Sequence, residues 1–259
     1  ALSVAEIQAI FDAGSAGKVK PTPTPTAAVL PFSNTGDLYV LDQGSKNVVR
    51  ITPTASVSIA VTQAQIRAAT QAAFVGFIDR GIAFDGAGSL YFTESVSGSI
   101  LRRAVGGVVT VLASKATIVA KAGGAGDPKA IAFGSDGYLY VNDDSTDSVL
   151  RVNPITGDVG VHVTKAVLSA LPGISSVNLA GGIVGDALGN LYVVSAPATG
   201  PQAVLKIASG GLPSVLASGA PFGELDVFIT RAANGDLIIA DDIADDFGAG
   251  IVHRVTPAG

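Results

Sequence analysis

Gly137-Tyr138-Leu139-Tyr140-Val141-Asn142-Asp143 decides the reading of this chain, because its pattern returns four more times. The counterparts are Gly36-Asp37-Leu38-Tyr39-Val40, Gly88-Ser89-Leu90-Tyr91-Phe92, Gly189-Asn190-Leu191-Tyr192-Val193 and Gly235-Asp236-Leu237-Ile238-Ile239. From glycine to glycine the spacings are 52, 49, 52 and 46 residues, a period that marks a repeat architecture. Six residues after each glycine stand Asp42, Glu94, Asp143, Ser195 and Asp241, so four of five units carry a carboxylate at one point.

Each unit has an internal grammar. Apolar runs such as Gly81-Ile82-Ala83-Phe84-Asp85 and Ala130-Ile131-Ala132-Phe133 read as a first strand, a, and a glycine turn leads into the Leu-Tyr strand, b. A basic residue inside an apolar run marks strand c: Val49-Arg50-Ile51, Leu101-Arg102-Arg103, Leu150-Arg151-Val152, Leu205-Lys206-Ile207 and His253-Arg254-Val255. A Val-rich stretch such as Val108 to Leu112 closes the unit as strand d. Four short antiparallel strands in about 50 residues are what one propeller blade needs. The pattern over roughly residues 27 to 257 resembles the NHL-repeat β-propellers and their virginiamycin-lyase-like and gluconolactonase-like relatives. The expectation is an all-β chain: a propeller of five four-stranded blades over residues 27–259, preceded by an N-terminal segment, 1–26.

Residues 3 to 14 predict a short helix, with Ser3 and Glu6 as a capping box, Val4, Ile7, Ile10 and Phe11 on one face, and Gly14 as its stop. The stretch Val4 to Lys18 is similar to the end of laminin-G-like lectin domains, which implies a larger precursor. Lys20-Pro21-Thr22-Pro23-Thr24-Pro25-Thr26 reads as an extended linker, since alternate prolines fix φ and remove ladder donors. The last unit ends straight after its strand c, so one outer strand is missing. Residues near Gly17 to Thr26, of this chain or of a neighbouring copy, could supply it, because an edge strand tolerates proline.

Composition removes several classes of function. Net charge is −5, and no Lys/Arg cluster is present to neutralise phosphates or hold an anionic bilayer, so neither nucleic acid nor a membrane surface is an expected partner. Mean hydropathy is +0.49, yet no unbroken apolar stretch is long enough to insert into a bilayer. The chain has no cysteine, which excludes disulfides and thiolate chemistry, and no methionine, not even at its start, which reads as removal of an export signal and an extracellular or cell-surface location.

The residues leading into strand a are the candidate site. Asp79, Asp127, Asn178 and Asp226 precede four of the five innermost strands, and the b–c and d–a connections share one face, so these groups should approach the channel mouth. The gluconolactonase resemblance implies a divalent metal held by such oxygens; ligands of this kind suit Ca²⁺ or Mg²⁺, and Ca²⁺ is the cofactor considered. The first unit offers only Asn34 there. The acids ending strand b instead read as structural acceptors for backbone N–H groups and for the strand-c arginine. Asp143-Asp144 with Asp147, and Asp241-Asp242 with Asp245-Asp246, are acidic b–c loops without the spacing of an EF-hand. Thr62 to Phe74 predicts a helix with Ile66, Ala69 and Ala73 on one face, placed over the channel mouth.

No catalytic residue is assigned. His162 and His253 fall on outer strands, neither at the position a lyase-like metal site would require, and no nucleophile elbow or P-loop is present. The leading expectation is therefore a noncatalytic secreted or cell-surface binding and assembly module whose partner is a protein or a second copy of itself. The alternative is a divalent-metal-dependent, lactonase-like hydrolase.

Overall fold

A Leu-Tyr-Val strand is stable with both faces buried only if apolar layers flank it on each side. The computed structural model describes residues 36–77, 81–220, 222, 224–242, 250–257 and 259, and in them the chain forms five antiparallel sheets whose strands follow in chain order. Blade 1 holds β1 (Leu38–Asp42), β2 (Asn47–Ile51) and β3 (Val57–Val61). Blade 2 holds β4 (Ile82–Phe84), β5 (Leu90–Glu94), β6 (Ser99–Arg103) and β7 (Val109–Ala113). Blade 3 holds β8 (Pro128–Phe133), β9 (Leu139–Asp143), β10 (Ser148–Val152) and β11 (Val159–Val163). Blade 4 holds β12 (Ile183–Gly185), β13 (Leu191–Ser195), β14 (Ala203–Ile207) and β15 (Pro213–Ser218), and blade 5 holds β16 (Glu224–Arg231), β17 (Leu237–Asp242) and β18 (Gly250–Val255).

The repeat thus yields strands a to d in blades 2, 3 and 4. In blade 5 strand c, β18, is the outermost strand among the described residues. The expected first strand of blade 1, the helix over 3–14 and the Pro/Thr linker lie outside the described residues. β4 packs on β8, β8 on β12 and β12 on β16, so the first strands line the axis and the blades splay outward from it.

The core lies between blades. Leu139 and Val141 of β9 join Ala83, Tyr91 and Ile100 of blade 2, whereas Tyr140 between them points the other way, to Leu191 and Val193 of blade 4. This period of two lets each strand b serve two interfaces, and β5, β9 and β13 are buried at every position. Similar seams join Ile66, Val48 and Val61 to Phe92 and Leu101, and Tyr192 and Val194 to Leu237 and Ile239. Blades 2 and 3 come close together at Gly157, where φ is +76° and a Cβ would lie 2.0 Å from the Leu112 carbonyl oxygen.

Among the described residues three helices follow the outer strands: α1 (Gln63–Thr70), α2 (Lys115–Ala122) and α3 (Lys165–Ser169). Each opens on a hydroxyl cap at Thr62, Ser114 or Thr164, and at Thr62 the Gln65 side chain returns the bond at 2.9 Å. The helix predicted over 62–74 is thus present with Ile66 fully buried. Its position differs from the expectation: α1 packs against β7, the outer strand of the next blade, and lies at the rim rather than over the channel mouth. Strand d is the outermost, so a helix that starts immediately after it must begin at the perimeter.

Candidate functional site

The acids that end strand b fasten the turn after them to the segment leading into strand a. Glu94 Oε1 accepts from the N–H of Gly76 at 2.8 Å and of Val96 at 2.9 Å, and Oε2 accepts from Ser97 N–H at 2.7 Å. Asp143 Oδ1 accepts from Asp127 N–H at 2.7 Å, while Oδ2 takes the hydroxyls of Ser145 and Thr146 at 2.9 and 2.6 Å. Ser195 Oγ receives the Asn178 N–H at 3.3 Å, so the unit without a carboxylate keeps the contact. Among the described residues Asp42 makes the turn contacts, to Gly44 and Ser45; the Ser45 hydroxyl, then these N–H groups, hold its carboxyl below the usual range.

Of the expected metal ligands, Asp79 lies outside the described residues, and the side chain of Asp226, on β16, does too. The other two meet in one place. Asp127 Oδ2 is 3.5 Å from Lys129 Nζ, which is also 3.7 Å from Asp144 Oδ2, and Asp144 Oδ1 faces Asn178 Nδ2 at 3.5 Å. Lys129 rises from β8, an axial strand, and its side chain is only 10% exposed, so its charge is held among these oxygens. Burial pushes the Asp144 carboxyl up, and the nearby Asp127 and Asp147 add to this, while Lys129 opposes it. Asn178 Oδ1 caps the Ala180 N–H at 3.0 Å. Among the described residues no three acids or histidines are arranged to hold a metal.

Neighbouring seams around the axis are polar as well. Thr93 Oγ1 donates to the Lys129 carbonyl at 2.6 Å and accepts from Gly81 N–H at 3.0 Å, and Asn142 Nδ2 donates to the Gly181 carbonyl at 2.8 Å. Of the first acidic loop, Asp147 accepts from Leu179 N–H at 2.9 Å and from Lys165 Nζ at 2.6 Å, fixing blade 3 to the start of blade 4. In the second loop the residues 243–249 lie outside the described set. The first loop therefore acts as a tie between blades, with its acids already engaged.

No protein-family model and no curated protein matches the sequence, but solved structures do match the fold. A catalytically inactive virginiamycin B lyase from Staphylococcus aureus with quinupristin superposes at a TM-score of 0.58 and 17% identity, covering 87% of this chain and 68% of the lyase. A chain of a nidogen/laminin complex gives 0.60 and 19%, covering 82% of this chain and 71% of that one. A gluconolactonase from Xanthomonas campestris gives 0.55 and 17%, covering 86% and 73%. This chain is a five-bladed β-propeller. At such identities the likeness extends to the fold, and the propeller's chemistry must come from its own side chains.

Among the described residues, neither histidine stands free at the channel. His162, on β11, rests against the Tyr140 ring at 4.8 Å, and burial, then the Arg151 charge, push its imidazole down. His253, on β18, lies 2.6 Å from Asp241 Oδ2 and packs on Phe222, with 11% of its side chain exposed. The fifth strand-b acid is thus held by an imidazole of its own blade.

The strand-c bases correct one expectation: they do not meet the acids that end strand b. Strands b and c are antiparallel with Arg50 opposite Tyr39 and Asp42 opposite Asn47, so each base reaches the beginning of strand b, on the other side of the propeller. There Arg50 pairs with Asp37 at 2.6 Å, Arg151 with Asp136 at 2.9 Å, and Arg254 with Asp236. The acid occupies different places in the turn. Asp37 and Asp236 follow the turn glycine, Asp136 precedes Gly137 by one, and Asp85 and Asp186 precede theirs by three. Asp85, Asp136 and Asp186 all accept from the strand-b tyrosine hydroxyl, at 3.0, 2.9 and 3.1 Å.

Proposed function

We propose that this propeller is a noncatalytic binding and assembly module, secreted or held at the cell surface, whose partner is a protein, a second copy of the chain included. The observation that carries the reading is Lys129. Its ammonium stands between Asp127 and Asp144, the two carboxylates best placed to take a cation at the channel mouth, and supplies that charge from the chain itself. With Glu94 and Asp143 engaged by backbone N–H groups, the face has the groups of a rigid scaffold rather than of a reaction centre. The outermost described strand of blade 5, with Val252 exposed, supports joining by strand addition, and the similarity to a chain of a nidogen/laminin complex supports a protein partner. The native mass by light scattering, with and without residues 1–26, tests this: an oligomer lost on truncation is expected, and a monomer in both forms overturns assembly.

A second reading is favoured by the convergence of Asp127, Asp144 and Asn178: a divalent-metal-dependent, lactonase-like hydrolase in which Ca²⁺ displaces Lys129. It requires a rise in melting temperature with added Ca²⁺, and lactone turnover abolished by Asp127→Ala.

A further inference from the structure

On the opposite side of the ring, at the a–b and c–d turns, a cavity of about 330 Å³ opens between blades 2 and 3 and reaches the first turn of blade 4. Its apolar walls include Tyr91 and Phe133, whose rings meet edge to face at 5.1 Å, with Pro154 and Ile155 from the c–d turn of blade 3. Three charged groups line it: Arg102, Asp85 and Asp186.

The charged groups are not equally available. Asp186 accepts four hydrogen bonds, from the N–H groups of Leu188 and Asn190, the Asn190 amide and the Tyr192 hydroxyl. Asp85 accepts three, from Ala87 and Ser89 N–H and from the Tyr91 hydroxyl. Arg102 differs from its counterparts in the repeat. Arg50, Arg151 and Arg254 each have a carboxylate, but in blade 2 the place of Asp37 and Asp236 is taken by Ser89, whose hydroxyl accepts from Arg102 Nη2 at 3.1 Å. Among the described residues Arg102 forms no ion pair, and its Nε is buried without a hydrogen-bond partner. Lys206 also lacks an ion pair among the described residues and lies over the Tyr192 ring, as Arg102 lies over the Tyr91 ring at 5.8 Å, but it does not line the cavity.

A guanidinium deprived of the acid its siblings have, set beside an aromatic and aliphatic wall, presents donors suited to a carboxylate. We propose that this cavity binds a small organic monocarboxylate with an apolar body, its carboxylate on Arg102 and its body against Tyr91, Phe133 and Ile155. The charges of Asp85 and Asp186 disfavour a second negative group, so a dianion binds less well. The site is on the far side of the ring from Lys129 and stands whichever reading of that face holds.

Benzoate is the probe, with benzamide as its neutral isostere and phthalate as a dianion, titrated into the full chain and followed by amide chemical shifts. The expected result is saturable binding of benzoate with shifts at Ala87, Ser135 and Ala187, and affinity for benzamide and phthalate lower by about tenfold or more. Arg102→Gln should abolish the preference for benzoate over benzamide with its melting temperature close to that of the parent. If Arg102→Gln proves unfolded, Ile155→Ala, at an exposed turn position, should still weaken benzoate severalfold. Equal binding of benzoate and benzamide by the unaltered chain, or no benzoate shifts at these three amides, overturns the proposal.

Discussion

Asp143 Oδ1 receives the backbone N–H of Asp127 at 2.7 Å, joining the end of strand b to the residue before strand a of the same blade. Asp143 is fully buried, so Asp143→Ala removes a buried charged acceptor from that N–H and from the hydroxyls of Ser145 and Thr146. A loss of about 3 kcal/mol in urea unfolding is expected. Ser195→Ala, which removes a neutral acceptor at 3.3 Å in the next blade, should cost about 1 kcal/mol. Equal losses would contradict the role given to the carboxylate.

Replacing Lys129 by Met removes the charge that offsets the burial of Asp144. The Asp144 carboxyl is already raised in the fold, so the folded state favours its protonated form and stability falls as pH climbs from the unfolded value of 3.8 through the raised one. Without Lys129 that rise should be larger. The variant is expected to lose about 2 kcal/mol at neutral pH and much less near pH 4, read from urea curves at the two pH values. The same variant separates the two functional readings. Under the binding-module reading added Ca²⁺ leaves its melting temperature unchanged, whereas a lactonase-like metal site should be strengthened.

Burial, then the charges of Asp85, Asp136 and Asp186, push the phenols of Tyr91, Tyr140 and Tyr192 up to about 12. The fold holds these phenols neutral, so their contribution to stability is intact below about pH 10 and is lost as pH rises through about 12. Phenolate absorbance should show three late-titrating tyrosines, and Asp85→Asn should bring one of them earlier. If every tyrosine ionises near pH 10 in the folded chain, the Asp-Tyr pairs do not exist in solution.

Gly157→Ala tests the seam between blades 2 and 3. Its backbone is left-handed, and the new methyl would meet the Leu112 carbonyl oxygen at 2.0 Å, so one blade must move. A loss of about 3 kcal/mol is expected, against about 1 kcal/mol or less for Gly137→Ala, where φ is also positive but nothing lies within 4 Å.

Strands b and c were readable because they carry the repeat's strongest constraints: alternate burial on both faces and a glycine turn before each strand b. Helix α1 was readable from Ile66, Ala69 and Ala73 on one face, yet α2 and α3 were not. The first carries Thr117, Ile118 and Val119, residues of ordinary strands, and the second is only five residues long, although the hydroxyl caps Ser114 and Thr164 follow strand d as Thr62 does. Asp127 and Asn178 lie on either side of Lys129 and Asp144. What their approach means depends on Lys129, and a lysine in an axial strand gives no sign in sequence of whether it turns to solvent or inward. The partner of the strand-c base was misassigned because an antiparallel register was needed to see which end of strand b it faces.

That the turn acid stands one after, one before or three before its glycine limits how blades can be exchanged by recombination. A junction placed between the turn and strand c of two different units would unite an acid from one offset with a base fitted to another, even though every alignment column agreed. The smallest portable piece of this molecule is therefore the stretch from the end of strand a through strand c, and shuffled chimeras that respect it should fold more often than those cut at the glycine.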